Sequence, residues 1–183
     1  MERREAVDVV ASLAEGQWGM FTTAQAEELG VSRVDVARLV SGQLARRLRH
    51  GVHIMAGAPS SPIEEIRAEW LATEPSRSAG ARRDDPEPVI VSDESAAAVH
   101  GVGDLSPGGV HLTSARRLQS RQRWVKLHRR QISEREYSWI DGLPVTTPRR
   151  TLEDLANSGR WEPDQLRALA NDAIGRGLIP PAD

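Results

Sequence analysis

Between Thr22 and Met55 the chain carries two short helical patterns and then a basic hairpin, and this close succession constrains the fold more than any other feature. Thr22 and Gln25 form a capping box, in which the hydroxyl takes an orphan helix N–H while Gln25 reaches back to the cap. The helix they open ends near Leu29, where Gly30 is placed to adopt the left-handed conformation that terminates it. Ser32 and Asp35 repeat the cap signature, which predicts a further helix from Arg33 to about Ser41. On it Val36, Leu39 and Val40 make the inward stripe, leaving Arg33, Val34, Ala37 and Arg38 on outer or flanking faces. Two helices joined by so short a turn match a helix-turn-helix.

Gly42 ends the second of these helices. Leu44 to Arg49 and Val52 to Met55 then read as strands turning at His50 and Gly51, where glycine tolerates positive φ. The hairpin carries Arg46, Arg47, Arg49, His50 and His53 and not one acid. A solvated charged hairpin is the plain reading. Its position directly after a helix bearing Arg33 and Arg38 points instead to the wing of a winged helix-turn-helix. There the recognition helix enters the major groove by its N-terminal residues, and the wing follows flanking phosphates or the minor groove. Arginine suits both tasks because its planar fork grips guanine edges or phosphates bidentately. The expected DNA-binding residues are therefore Ser32, Arg33, Ala37, Arg38, Arg46, Arg47, Arg49 and His50. An amphipathic helix from about Glu5 to Ala14, with Ala6, Val9, Val10 and Leu13 on one face, precedes the motif. A helix opened by Ser61, Pro62 and Glu64 and running through Trp70 to about Thr73 closes a first domain at residues 1–74.

Residues 75–88 show no apolar period and read as an exposed linker or long loop. Beyond them, residues 89–183 read as a mixed α and β domain, so the expected class is α+β, a winged helix-turn-helix followed by an α/β unit. Val89 to Val91 is a short buried strand, and Ser92 caps a helix through Val99 that Gly101 and Gly103 close. Asp93 and Glu94 sit favourably in its first turn. Val110 to Thr113, Trp124 to His128 and Leu143 to Thr146 read as strands. Thr147 and Pro148 open a helix carrying Leu152 and Leu155, and a last helix covers about Pro163 to Arg176. A second basic run holds Arg116, Arg117, Arg121, Arg123, Lys126, Arg129 and Arg130, interleaved with Trp124 and His128. Three uses stay open for it: a groove for a nucleic-acid backbone, a solvated loop beside core strand residues, or a surface for an acidic protein.

Other function classes find little support. Cysteine is absent, which removes disulfides, thiol nucleophiles and thiolate zinc sites. The net charge of −2 means that any nucleic-acid surface arises from local segregation of charge. No apolar run is long enough to span a bilayer, and the charged start, with Glu2, Arg3, Arg4 and Glu5, lacks a signal-peptide core, so a cytoplasmic location is expected. The spacings of His100, His111 and His128 match no ligand motif, and no phosphate-cradling glycine loop is present. The single lysine, Lys126, follows Trp124 by two places, so a carboxylate-x-lysine nuclease motif is missing. The expectation is a non-enzyme with no metal and no cofactor.

Several segments carry a family resemblance. Phe21-Thr22-Thr23-Ala24-Gln25-Ala26, Leu29-Gly30-Val31-Ser32, the arginine-rich wing ending in Gly51-Val52-His53, and Ala56-Gly57-Ala58-Pro59 resemble the N-terminal domain of AbiEi-type antitoxins. Ser92 to Gly101, Val110-His111-Leu112-Thr113, Leu127-His128-Arg129-Arg130 and Asp141 to Leu152 resemble the antitoxin domain of that family, with a long stretch near Arg82 to Pro88 as a departure. The resemblance implies a type IV toxin-antitoxin or abortive-infection system of phage defence. Its antitoxin represses its own operon at inverted repeats in the promoter and counteracts an AbiEii-like nucleotidyltransferase toxin encoded beside it. It places Ser32, Arg33, Ala37 and Arg38 on the recognition helix and Arg46, Arg47, Arg49 and His50 on the wing. The basic run from Arg116 to Arg130, with Arg149 and Arg150, becomes the candidate surface for antitoxicity or a second DNA contact. Two rivals stand beside this reading: an antitoxin that neutralises its toxin by direct contact without specific DNA binding, and a regulator whose second domain binds a small effector.

Overall fold

The computed structural model describes residues 2–105, 108–120 and 122–181. The chain is built of both helix and sheet and divides between Pro86 and Glu87 into two compact units.

The first unit runs α1 (Arg3–Glu15), β1 (Met20–Thr22), α2 (Thr23–Glu28), α3 (Arg33–Ser41), β2 (Ala45–Arg49), β3 (Val52–Met55) and α4 (Glu64–Thr73). The capping box at Thr22 and Gln25 forms with both of its hydrogen bonds, and Ser32 accepts from the Asp35 N–H at the start of α3. Gly30 takes the left-handed conformation at φ +85°, and Gly51 does so at φ +76° in the hairpin turn. The three strands pair antiparallel in the order β1-β3-β2. Ala6, Val10, Phe21, Ala26, Val31, Val36 and Leu39 close a core beneath the two motif helices. Loss of this apolar area from water is what fixes α3 at a set angle to the hairpin. The sequence reading lacked β1, a three-residue strand buried along its whole length, because such a strand shows no polar alternation.

Residues 75–86 fall in the first compact unit, where much of the segment is exposed but polar contacts tie it down. Gln17 and Gln25 exchange amide hydrogen bonds of 3.0 Å inside the unit, and the segment completes this pair. The Ala79 N–H donates to Gln17 Oε1 at 2.9 Å, and Gln25 Nε2 donates to Arg77 O at 2.8 Å. Arg82, 2% exposed, lies 3.5 Å from the Trp70 ring centroid and donates to Trp70 O at 2.7 Å. A stretch without hydrophobic period is ordered here by buried polar pairing, which periodicity does not register.

The second unit runs β4 (Ile90–Val91), α5 (Asp93–His100), β5 (Val110–Ser114), β6 (Val125–Arg129), β7 (Tyr137–Ile140), β8 (Leu143–Thr146), α6 (Pro148–Asn157) and α7 (Pro163–Gly175). Its sheet has the order β6-β5-β4-β8-β7, with β4/β8 and β5/β6 parallel and β4/β5 and β7/β8 antiparallel. Ala97, Val102, Leu155, Leu169 and Ala173 join α5, α6 and α7 in one apolar cluster. Strand β7 was absent from the sequence reading. Ser92 also departs from expectation, since it makes no cap hydrogen bond. Its hydroxyl instead donates to Asp93 Oδ2 at 2.8 Å and meets Thr113 Oγ1 at 2.7 Å, while Asp93 stands at φ +50°.

Candidate nucleic-acid interface

On α3 the stripe has Val36 and Leu39 buried and Val40 half-buried, with Arg33, Val34, Ala37 and Arg38 exposed. The Ser32 hydroxyl also donates to Asp35 Oδ2 at 2.7 Å, which fixes the helix start that would meet a groove. Together α2, α3 and the turn of the β2–β3 hairpin border a concavity of about 690 Å³, whose lining includes Arg33, Arg47, Arg49 and His50.

Four of the five expected arginines begin from ion pairs. Arg33 Nε is 2.9 Å from Glu27, Arg38 is 3.1 Å from Asp35, and Arg46 is 2.9 Å from Glu64. These three arginine side chains are 63–78% exposed, so each pair is weak and yields readily to a phosphate. Arg49 differs. Its side chain is only 15% exposed and turns back onto Glu69 of α4, itself 5% exposed. Burial lowers the Arg49 pKa, and the residue braces the hairpin against α4 instead of presenting a free charge. Arg47 is the wing cation that meets no carboxylate among the described residues, its guanidinium resting 2.9 Å from His50 Nδ1 at the tip. The backbone register shifts between Arg47 and Arg49, which turns one arginine outward and the next inward. His53, expected on the return strand, is buried against Phe21, and its Nε2 lies 3.1 Å from Thr23 Oγ1. Burial, then the charges of Arg47 and His50, push its pKa down to about 4.

The second basic run divides in the same way. Arg117, Arg123, Lys126 and Arg129 are exposed and meet no carboxylate among the described residues, whereas Arg121 lies outside the described residues. Arg116 is half-buried beside them. Because β6 is the last strand of its sheet, Lys126 and Arg129 also charge an open edge against pairing with another strand. Arg149 is exposed and paired with Glu153 at 3.1 Å. Arg130 and Arg150 turn inward: Arg130 lies 3.3 Å from Asp93 Oδ2 and 3.2 Å from Asp154, and Arg150 Nε donates to Asp154 at 3.0 Å and its guanidinium to Glu136. Hydrogen bonds from Ser133, reinforced by Arg150, hold Glu136 down at about 2. Burial raises the Asp154 pKa despite its arginines.

Around these carboxylates the fold gathers residues that sequence spacing kept apart. His111 and His128 stack with ring centroids 5.3 Å apart and Nδ1 to Nε2 at 3.1 Å, and Asp93 Oδ2 lies 3.6 Å from His128 Nε2. The third histidine of the sequence reading, His100, is engaged elsewhere, donating from Nε2 to Thr146 O at 2.7 Å. The parallel register of β5 and β6 is the signal that joins the first two, since Thr113 pairs with His128 and His111 shares the Thr113 face.

The first unit thus has the helix order, antiparallel sheet and hairpin of a winged helix-turn-helix, with a cationic concavity beside its second motif helix. Residues 8–52, from α1 to the first residue of β3, match the model of a family described as transcriptional regulator, AbiEi antitoxin. No curated protein matches the chain. No helix among the described residues is long and apolar enough to cross a membrane.

Proposed function

We propose that this chain is an antitoxin that represses its own operon by binding inverted repeats in its promoter, and that counteracts a nucleotidyltransferase-like toxin encoded beside it. The observation that carries the reading is the pair of Arg33 and Arg47 lining the concavity, with Arg38 exposed on the same helix as Arg33, in the unit whose sequence matches the regulator family. Helix α3 lies in the major groove, where Ser32, Arg33, Ala37 and Arg38 face base edges and phosphates, while Arg46, Arg47 and His50 follow the flanking backbone. Arg49 holds the wing in place and contacts phosphate only at the cost of its bond to Glu69. In the second unit the outward subset, Arg117, Arg123, Lys126, Arg129 and Arg149, is the surface offered to toxin or DNA. Arg130 and Arg150 support it from inside.

Nuclease footprinting of the upstream DNA tests the first half. Two protected half-sites related by an inverted repeat are expected, and uniform cleavage at protein concentrations that saturate other repressors would overturn it. Co-expression with the adjacent toxin gene tests the second half, with restored growth as the expected result. Growth arrest despite a soluble antitoxin would overturn that half alone.

A further inference from the structure

We propose that Asp93, His111 and His128 form a binding site for a divalent transition-metal ion of the zinc class, which joins the start of α5 to β5 and β6 in the second unit. One nitrogen of each imidazole and one oxygen of Asp93 all lie within 4.8 Å of one another. The two shorter edges of that triangle, 3.1 Å between the histidines and 3.6 Å from His128 Nε2 to Asp93 Oδ2, match the donor spacing of a tetrahedral ion. With metal–ligand bonds of about 2.0–2.1 Å, such an ion sets its donors about 3.3 Å apart. Two imidazoles and a carboxylate are borderline donors that suit zinc, cobalt or nickel and disfavour magnesium or calcium.

The surroundings orient these donors for a cation. Glu94 Oε2 lies 3.5 Å from His111 Nε2, which favours the proton on that nitrogen and leaves the Nδ1 lone pair facing His128. Glu94 is held in turn by Arg160 at 3.1 Å. Asp93, fully buried, accepts from Ser92 Oγ at 2.8 Å, and its left-handed backbone at φ +50° is a strained state for a residue other than glycine. That strain is maintained where it brings the carboxylate to the two rings. Arg130 shares Asp93 in this structure but also reaches Asp154 at 3.2 Å, so it keeps a partner when a cation takes the Asp93 oxygen. The His128 side chain is 24% exposed, which gives an ion its way in and leaves the fourth coordination position to water or an added ligand.

The test is zinc uptake by the untagged full-length protein, followed by isothermal titration and by metal analysis after desalting, with cobalt(II) absorption as the readout of geometry. One retained equivalent, a rise in Tm on loading and the intense visible bands of four-coordinate cobalt are expected. His128→Ala, chosen because its ring reaches solvent, and the isosteric Asp93→Asn each abolish retention while a circular dichroism spectrum of the wild-type form persists. Absence of retained zinc in the wild type, or equal retention by both variants, would overturn the site. A cobalt spectrum no different from that of the hydrated ion would do so too.

Discussion

Arginine does opposite work in two regions of this molecule, the outer surface of α3 with the wing and the carboxylate cluster of α5 and α6. Around α3 and the wing, Arg33, Arg38 and Arg46 are 63–78% exposed and hold their acids loosely at the surface, while Arg47 meets none among the described residues. Within the second unit, Arg130 and Arg150 reach inward to Asp93, Asp154 and Glu136, with side-chain exposures of 33% and 15%. A guanidinium at the surface gains little from its partner and is free to exchange it for phosphate. A buried one cannot leave without stranding a desolvated carboxylate. Similar basic sequence therefore yields exposed, exchangeable cations in one place and internal bracing in another.

Removing an inward arginine has the largest expected effect. Arg150→Ala lowers the stability of the second unit by roughly 3 kcal/mol, because Asp154 and Glu136 lose their shared cation, and Arg82→Ala costs the first unit a similar amount. Chemical denaturation followed by circular dichroism measures both, and for Arg150→Ala a cost below about 1 kcal/mol would erase the contrast between inward and outward arginines. Acid comes next. Burial depresses His53 to about 4 from its ordinary 6.5, so the folded state binds fewer protons than the unfolded chain between those values. Its contribution is fully present above pH 6.5 and is lost as the pH falls towards 4, a change of roughly 2–3 kcal/mol. Thermal melts of wild type and His53→Gln across this window should converge as the pH drops, since the variant lacks the titrating ring.

Outward arginines give the opposite signature. Arg38→Ala costs about 1–3 kcal/mol on the cognate duplex if it reads a base, with an unchanged melting curve. Equal weakening on cognate and random DNA would make it a phosphate contact. Arg46→Ala is expected to change folding stability by less than about 1 kcal/mol, since it breaks only the exposed pair with Glu64. A larger loss in denaturation would place Arg46 with the braces.

Much of the first unit was legible from local chemistry. Thr22 with Gln25, Ser32 with Asp35, and the glycines at positions 30 and 51 each specify a backbone state within a few residues, and each takes it. What escaped was set by partners distant in sequence. Residues 75–86 are ordered by Gln17, Gln25 and Trp70, and Arg49 is drawn inward by Glu69, neither of which leaves a periodic trace. Spacing likewise separated Asp93, His111 and His128, and strand register brings them together. Ser92 carried a cap signature, yet its hydroxyl donates to Asp93 and meets Thr113, a partner 21 residues away that local cap spacing does not register.

The most direct test of the account is fluorescence anisotropy of the full chain on its own upstream DNA and on a scrambled duplex of equal length, across a salt series, for wild type and Arg47→Ala. The account predicts tight binding that distinguishes the two duplexes and weakens steeply with salt. It also predicts that the slope of log K against log salt falls by about one in the variant. Equal or negligible binding to both duplexes would contradict it and shift the weight to direct capture of a toxin.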